Sequence, residues 1–242
     1  MSRTDTWTLR AILVARSKIT HMAGTQGNEA LILREPVMTP TGVRLVPSLS
    51  GNTLRHRLVR EPLARHLIET WELDRLLDEY QLDFLFHGGA LTEKGGREDL
   101  GLQQDVYRLM PLARVLGLNL PSTPIPGQLH MSMGILFCRE NLSKLETVFP
   151  ADWMKGLDLR SAVEFVRKWQ YTRGDVRCST SPLLPDKSAK EETSQGIYAG
   201  ESVIQNSIFG LEFHIRHVEP VALGSLLFAL NRWQTDNGTI GG

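Results

Sequence analysis

Val46-Pro47-Ser48-Leu49-Ser50-Gly51-Asn52-Thr53-Leu54-Arg55-His56-Arg57-Leu58-Val59-Arg60 reads as an extended segment that turns into a helix. Ser48 and Ser50 are the cap candidates, because a side-chain oxygen at a helix start satisfies a backbone N–H that has no partner within the helix. Gly51 lets a second backbone or a ligand come close. At about 100° per residue, Leu54 and Leu58 fall on one side and point to a core. Asn52, Arg55 and His56 cluster on the other. A helix N-terminus with cationic and hydrogen-bonding side chains beside it suits a phosphate. The same arrangement also describes a solvated polar face, and the stretch alone leaves both readings open.

Composition bounds the choices. The chain has 242 residues, 41% hydrophobic and 22% charged, which suits one domain with insertions. Lys+Arg and Asp+Glu are both 27. A zero net charge lacks the basic excess common in nucleic-acid binders, but a local basic groove can be balanced by acids elsewhere. Basic clusters exist at Arg55, Arg57, Arg60 and Arg65, and at Arg167, Lys168, Arg173 and Arg177; the stretch 69–83 is acid-rich and reads as an outer face. The two cysteines, Cys138 and Cys178, form no CxxC, so neither a zinc ribbon nor a disulfide framework is expected. Residues 1–10 lack the apolar run of a signal peptide. The apolar run at 221–230 is too short to span a bilayer, and a reducing cytoplasm is the expected compartment.

Outward from the opening stretch, the periodicity predicts a series of elements. Residues 7–15 read as a strand central in a sheet, extended through 17–21. Residues 24–28 read as a turn-rich loop, 31–34 as a short strand and 43–46 as the lead into the helix. That helix runs over about 52–60. Pro62 suits the first turn of a second piece over 62–71, with Leu63, Leu67 and Trp71 on its buried face. The glycine pairs at 88–89 and 95–96 read as loops or phosphate cradles. A helix is expected over 105–116 with Pro111 in its middle, a strand over 128–138 and a short helix over 159–169. Strands return at 196–204 and 207–218, and Pro220 opens a helix over 221–233. His214 and His217 fall on opposite faces of their strand, which argues against a metal pair.

Ser50-Gly51-Asn52-x-Leu54-Arg55 resembles the signature at the first helix of the RAMP-type backbone subunits of CRISPR effector complexes. The order of strand, glycine-rich loop, "pv" segment and Ser/Gly helix start is similar too. Val115-Leu116-Gly117 and Gly127-Gln128-Leu129-His130 stand where that family has its glycine motifs. Arg173-Gly174-Asp175 and Ile197-Tyr198-x-x-Glu201-x-Val203 resemble the segments that lead into and out of its thumb hairpin. The glycine loop at 237–242 matches the family's C-terminal loop, after which the family has a final strand. With that resemblance, the element order becomes an α+β, ferredoxin-like or RRM-like palm, βαββαβ with its last strand apparently missing. It is one domain over 1–242, with a finger or helical insertion at 81–126 and a β-hairpin thumb at 171–206.

The resemblance implies a subunit that binds the backbone of a guide RNA without regard to sequence, repeats as a helical filament and leaves target choice to base pairing. Its implied partners are guide RNA, target DNA or RNA paired to the guide, copies of itself and other effector subunits. The implied RNA-binding residues are His21, Ser48, Ser50, Gly51, Asn52, Arg55, His56, Arg173, Arg177 and Tyr198. No cofactor, metal or catalytic residue is implied. In type III relatives an Asp before the "pv" segment cleaves RNA. Residues 27–35 contain no Asp, with Glu29 as the nearest substitute, and this points to a non-cleaving backbone, as in type IV or some type I complexes, of which type IV is favoured. The alternative is a RAMP-fold endoribonuclease working through His21, His56 and His214.

Overall fold

The computed structural model describes residues 6–27, 29–88, 100–119, 124–173, 196–217 and 219–240. The chain opens with strands β1 (Thr6–Val14), β2 (Met22–Gln26), β3 (Glu29–Ile32), β4 (Arg34–Thr39) and β5 (Gly42–Leu49). Helix α1 (Gly51–Arg55), a π turn (His56–Arg60) and α2 (Glu61–Thr70) follow without a break. Next come α3 (Glu79–His87), α4 (Leu100–Leu109), α5 (Pro111–Leu116), β6 (Gly117–Asn119), β7 (Pro124–Pro126), β8 (Leu129–Met131) and β9 (Gly134–Leu136). The rest is α6 (Leu142–Val148), β10 (Val166–Arg173), β11 (Gly196–Val203), β12 (Ile208–Arg216) and α7 (Pro220–Thr235).

The main sheet has the order β1-β12-β9-β5-β4, with β8 also paired to β12. Every pairing in it is antiparallel. Taking β1, β8/β9 and β12 as the first three palm strands, the spatial order is first, third, second. That is a ferredoxin-like palm, in which a fourth strand belongs beside β1. Among the described residues β1 pairs only with β12, from Thr6↔Arg216 to Val14↔Ile208. The expectation of a central first strand is therefore corrected: β1 lies at an edge, with Ile12 and Val14 exposed. After α7 the chain comes back to that edge, where Thr239 and Ile240 share a cavity with Ile12 and Trp233.

Period-two burial along β12 sets Leu211, Phe213 and Ile215 into the core. The helices that cover this face bring Leu54, Leu58, Val59 and Leu63, and from α7 Ala222, Leu226 and Ala229. A smaller cluster of Ile135, Phe137, Leu145 and Phe149 forms a second core. Gly210 lets the Phe149 ring lie against β12, since a Cβ there would stand 2.3 Å from it.

A second sheet has the order β10-β11-β3-β2. β10 and β11 are antiparallel from Val166↔Val203 to Arg173↔Gly196, and β11 joins β3 in parallel. Between the two sheets the buried Glu201 of β11 pairs with Arg34 of β4 at 2.8 Å. The loop expected at 24–28 is thus mostly strand β2, and the helix expected over 159–169 is one 3₁₀ turn (Ala162–Phe165) followed by β10. At β10 pairing with the distant β11 overrides local propensity, whereas β2 forms a hairpin with the neighbouring β3.

A proline accounts for one further departure. The helix expected over 105–116 breaks before Pro111, whose ring cannot sit against the Tyr107 carbonyl four residues back. The Arg114 guanidinium donates to that carbonyl at 2.7 Å. The strand expected over 128–138 is interrupted between β8 and β9. Trp71 is 67% exposed and caps α2 without joining its buried face.

Candidate nucleic-acid interface

Ser50 has the extended backbone of a helix cap, and its Oγ accepts from the Thr53 N–H at 3.1 Å. Its own N–H donates to Nε2 of His21 at 3.2 Å. An imidazole that accepts at Nε2 carries its proton on Nδ1 and is neutral, and burial of His21 pushes its pKa below the usual range in agreement. Gly51 is required by packing: a Cβ there would lie 2.5 Å from the Met131 carbonyl of β8. The close approach foreseen at this glycine is by another backbone.

Thr20, His21, Met22, Asn52, Thr53, His56 and Arg57 line an open groove of about 450 Å³. Met22 begins β2, so the second sheet starts at the groove wall. Asn52 is exposed on the rim and His56 half-buried. Burial lowers the His56 pKa; Glu61 opposes the shift and Arg57 adds to it. Arg57 pairs with Glu61 at 3.0 Å, and Arg65 reaches the same carboxylate at 2.8 Å. Burial of Glu61 works against ionisation, but hydrogen bonds from Arg65 and Arg57 hold its carboxyl below the usual range. Two guanidinium groups share one carboxylate, which leaves a positive excess beside two neutral imidazoles.

The remaining implied residues separate from this groove. Ser48 lies in β5, is buried, and donates its hydroxyl to the Gly134 carbonyl at 3.0 Å, so it neither caps the helix nor reaches the surface. Arg55 was expected beside Asn52 and His56. It turns instead into a second cavity and donates to the Leu116 carbonyl. Arg173 ends β10, and Tyr198 lies in β11 opposite Tyr171. Arg177 lies outside the described residues, as does most of the segment assigned to the thumb tip.

Of the three histidines in the ribonuclease alternative, His21 and His56 line the groove. His214 lies on β12, paired in register with His130, and its Nδ1 is 3.2 Å from Thr8 Oγ1. Glu29, the only candidate for the missing aspartate, is held by Lys168 at 2.7 Å. The Cys138 thiol is buried and pushed up to about 12, mainly by that burial, so it is inert as a thiolate ligand.

Sequence reasoning missed the burial of Arg60, which it counted only in a basic cluster. Arg60 is only 6% exposed. The π turn explains this. In an α-helix residues five apart lie roughly 140° apart around the axis, which would put Arg55 and Arg60 on different faces. Here the Glu61 N–H bonds to the His56 carbonyl, an i→i+5 bond, and the wider turn carries Arg60 round beneath Arg55. Pro62 is the cause: it has no N–H for the Leu58 carbonyl, and its ring crowds that group. Pro62 was visible as a breaker, but its effect on the bearing of Arg60 was not.

A scan against protein-family models and a search of curated proteins returned no match. Among solved structures, the chain is similar to a chain of a "Type IV-B CRISPR Complex", at 15% identity and a TM-score of 0.50. The similarity covers 98% of this chain and 89% of that one. At this identity the likeness is one of fold. Among the described residues, no helix is long and apolar enough to cross a membrane.

Proposed function

We propose that this chain is an RNA-binding subunit of a CRISPR effector complex of type IV kind, and that the groove at the start of α1 grips the backbone of the guide RNA. The fold likeness to a chain of a type IV-B complex, spanning nearly the whole of this chain, carries the reading. The groove supports it with an exposed amide at Asn52, two imidazoles and the Arg57 guanidinium, whose partner Glu61 is shared with Arg65. Recognition is of phosphate and sugar, tolerant of sequence and weakened by salt. The subunit repeats along the guide beside other effector subunits, with the β10–β11 hairpin as the base of the thumb, and base pairing selects the target. It acts as a scaffold and not as a nuclease.

The test is binding of fluorescent single-stranded RNAs of unrelated sequence across a salt series. Similar affinity for all of them, falling as salt rises, is expected, and Asn52→Ala with His56→Ala weakens binding at least several-fold. Absence of binding at low salt, or affinity indifferent to salt, overturns the reading. Specific cleavage of the RNA in the same incubation, lost in His21→Ala, would replace it with the ribonuclease alternative that the shared position of His21 and His56 allows.

A further inference from the structure

The cavity that receives Arg55 and Arg60 has a volume of about 440 Å³. Arg60 donates through Nη2 to the Gly117 carbonyl at 3.3 Å, and its Nη1 is buried with no hydrogen-bond partner. A buried donor left unpaired costs free energy, and a buried charge costs more. Arg55 stands beside it, and Arg216, His87 and His130 also line the cavity. Among the described residues no Asp or Glu does so. Burial, with the Arg55 charge second, lowers the Arg60 pKa to about 10, so the group remains cationic at neutral pH.

The walls hold this cation in place. Gly88, in the left-handed region at φ 83°, lies against the guanidinium, and any Cβ there would stand 2.8 Å from it. Gln128 is 6% exposed; its amide nitrogen donates to the Tyr107 hydroxyl at 3.1 Å and its Oε1 has no partner. The cavity thus presents two guanidinium groups and an idle acceptor.

We propose that this cavity binds a phosphate ester of nucleotide size, with its phosphate on Arg60 and Arg55. The planar guanidinium fork suits phosphate geometry, the volume exceeds what a lone ion needs, and a sugar hydroxyl would satisfy the acceptor on Gln128. The inference rests on this cavity and not on the RNA reading of the α1 groove. The ligand has two sources, one nucleotide of an RNA strand or a free nucleotide.

The experiment is thermal unfolding of the full chain at constant ionic strength. The ligands are inorganic phosphate, adenosine 5′-monophosphate, a short oligoribonucleotide and a glutamate-rich peptide, with chloride as the reference. A saturable rise in Tm is expected with at least one phosphate ligand. Arg60→Met weakens that response about tenfold or more, the scale of a lost charge-assisted hydrogen bond. Arg216→Gln, an exposed position on the rim, weakens it less and keeps the test open if Arg60→Met fails to fold. A response to adenosine 5′-monophosphate assigns a free nucleotide; a response to the oligoribonucleotide alone, lost in Arg60→Met, assigns a strand. The proposal is overturned if no phosphate ligand raises Tm, if the response survives both substitutions, or if only the acidic peptide acts. RNA binding that is lost in Asn52→Ala and His56→Ala but unaffected in Arg60→Met leaves the groove standing and removes an RNA strand as the source of the cavity's ligand; with no adenosine 5′-monophosphate response either, it removes the cavity. The opposite pattern removes the groove.

Discussion

At the scale of single residues, the start of α1 is held by a few groups whose removal has a known direction. Ser50→Ala deletes the acceptor for the Thr53 N–H and should cost about 1 kcal/mol. Gly51→Ala drives a Cβ into the Met131 carbonyl and should cost about 1–3 kcal/mol. Denaturant unfolding at neutral pH measures both. His21 and His56 have folded-state pKa values lowered from 6.5, chiefly by burial. Below 6.5 the unfolded chain therefore binds more protons than the folded one, and stability falls as pH drops through that window. Above 6.5 this contribution is fully present. His56→Gln should flatten the slope of Tm against pH between about 6.5 and 5. RNA phosphates near the groove would favour the imidazolium, so RNA affinity is expected to rise over the same interval in which the free protein loses stability. Parallel pH series of binding and unfolding would show whether the two slopes have opposite signs.

Among the elements, the helix across the palm matters most because it is not uniform. One π turn before Pro62 brings Arg60 beneath Arg55, while Leu54, Leu58 and Val59 stay buried. Pro62→Ala returns an N–H to the ladder and removes the ring, which lets the turn relax to α geometry. Arg60 then leaves its cavity, and the phosphate-dependent rise in Tm is expected to disappear while the fold persists by circular dichroism. In the second sheet, Gly200 lies under the Trp169 ring, where a Cβ would come within 2.4 Å. Gly200→Ala should loosen the β10–β11 ladder by about 1–3 kcal/mol, read as faster amide exchange along both strands. Glu201→Ala strands the Arg34 guanidinium and should cost about 2 kcal/mol or more.

The whole molecule combines a palm with a second, smaller sheet, and the two meet where His21 gives way to β2. A neutral chain can still concentrate cations locally: Arg55 and Arg60 share a cavity that no described Asp or Glu lines. The logarithm of RNA affinity is expected to fall linearly with the logarithm of salt, with a slope set by the number of phosphates contacted. Arg57→Gln should make that slope shallower by about one phosphate's share, without changing preference among RNA sequences.

The amino-acid sequence alone determined the α+β class, Ser48 or Ser50 as the helix cap, the core side of Leu54 and Leu58, and the alternation along β12. These follow from local rules: helical and strand periods, and the need of each helix start for an acceptor. The thumb expected at 171–206 came from the family resemblance and not from these rules; on its flanks β10 and β11 pair from Val166↔Val203 to Arg173↔Gly196. Only the tertiary structure put β1 at an edge and turned 166–173 into a strand, because pairing depends on partners far along the chain. It alone separated Arg55 from Asn52 and joined it to Arg60. A proline changes the pitch of a helix by one residue, and that change re-aims a charge that periodicity assigns to another face.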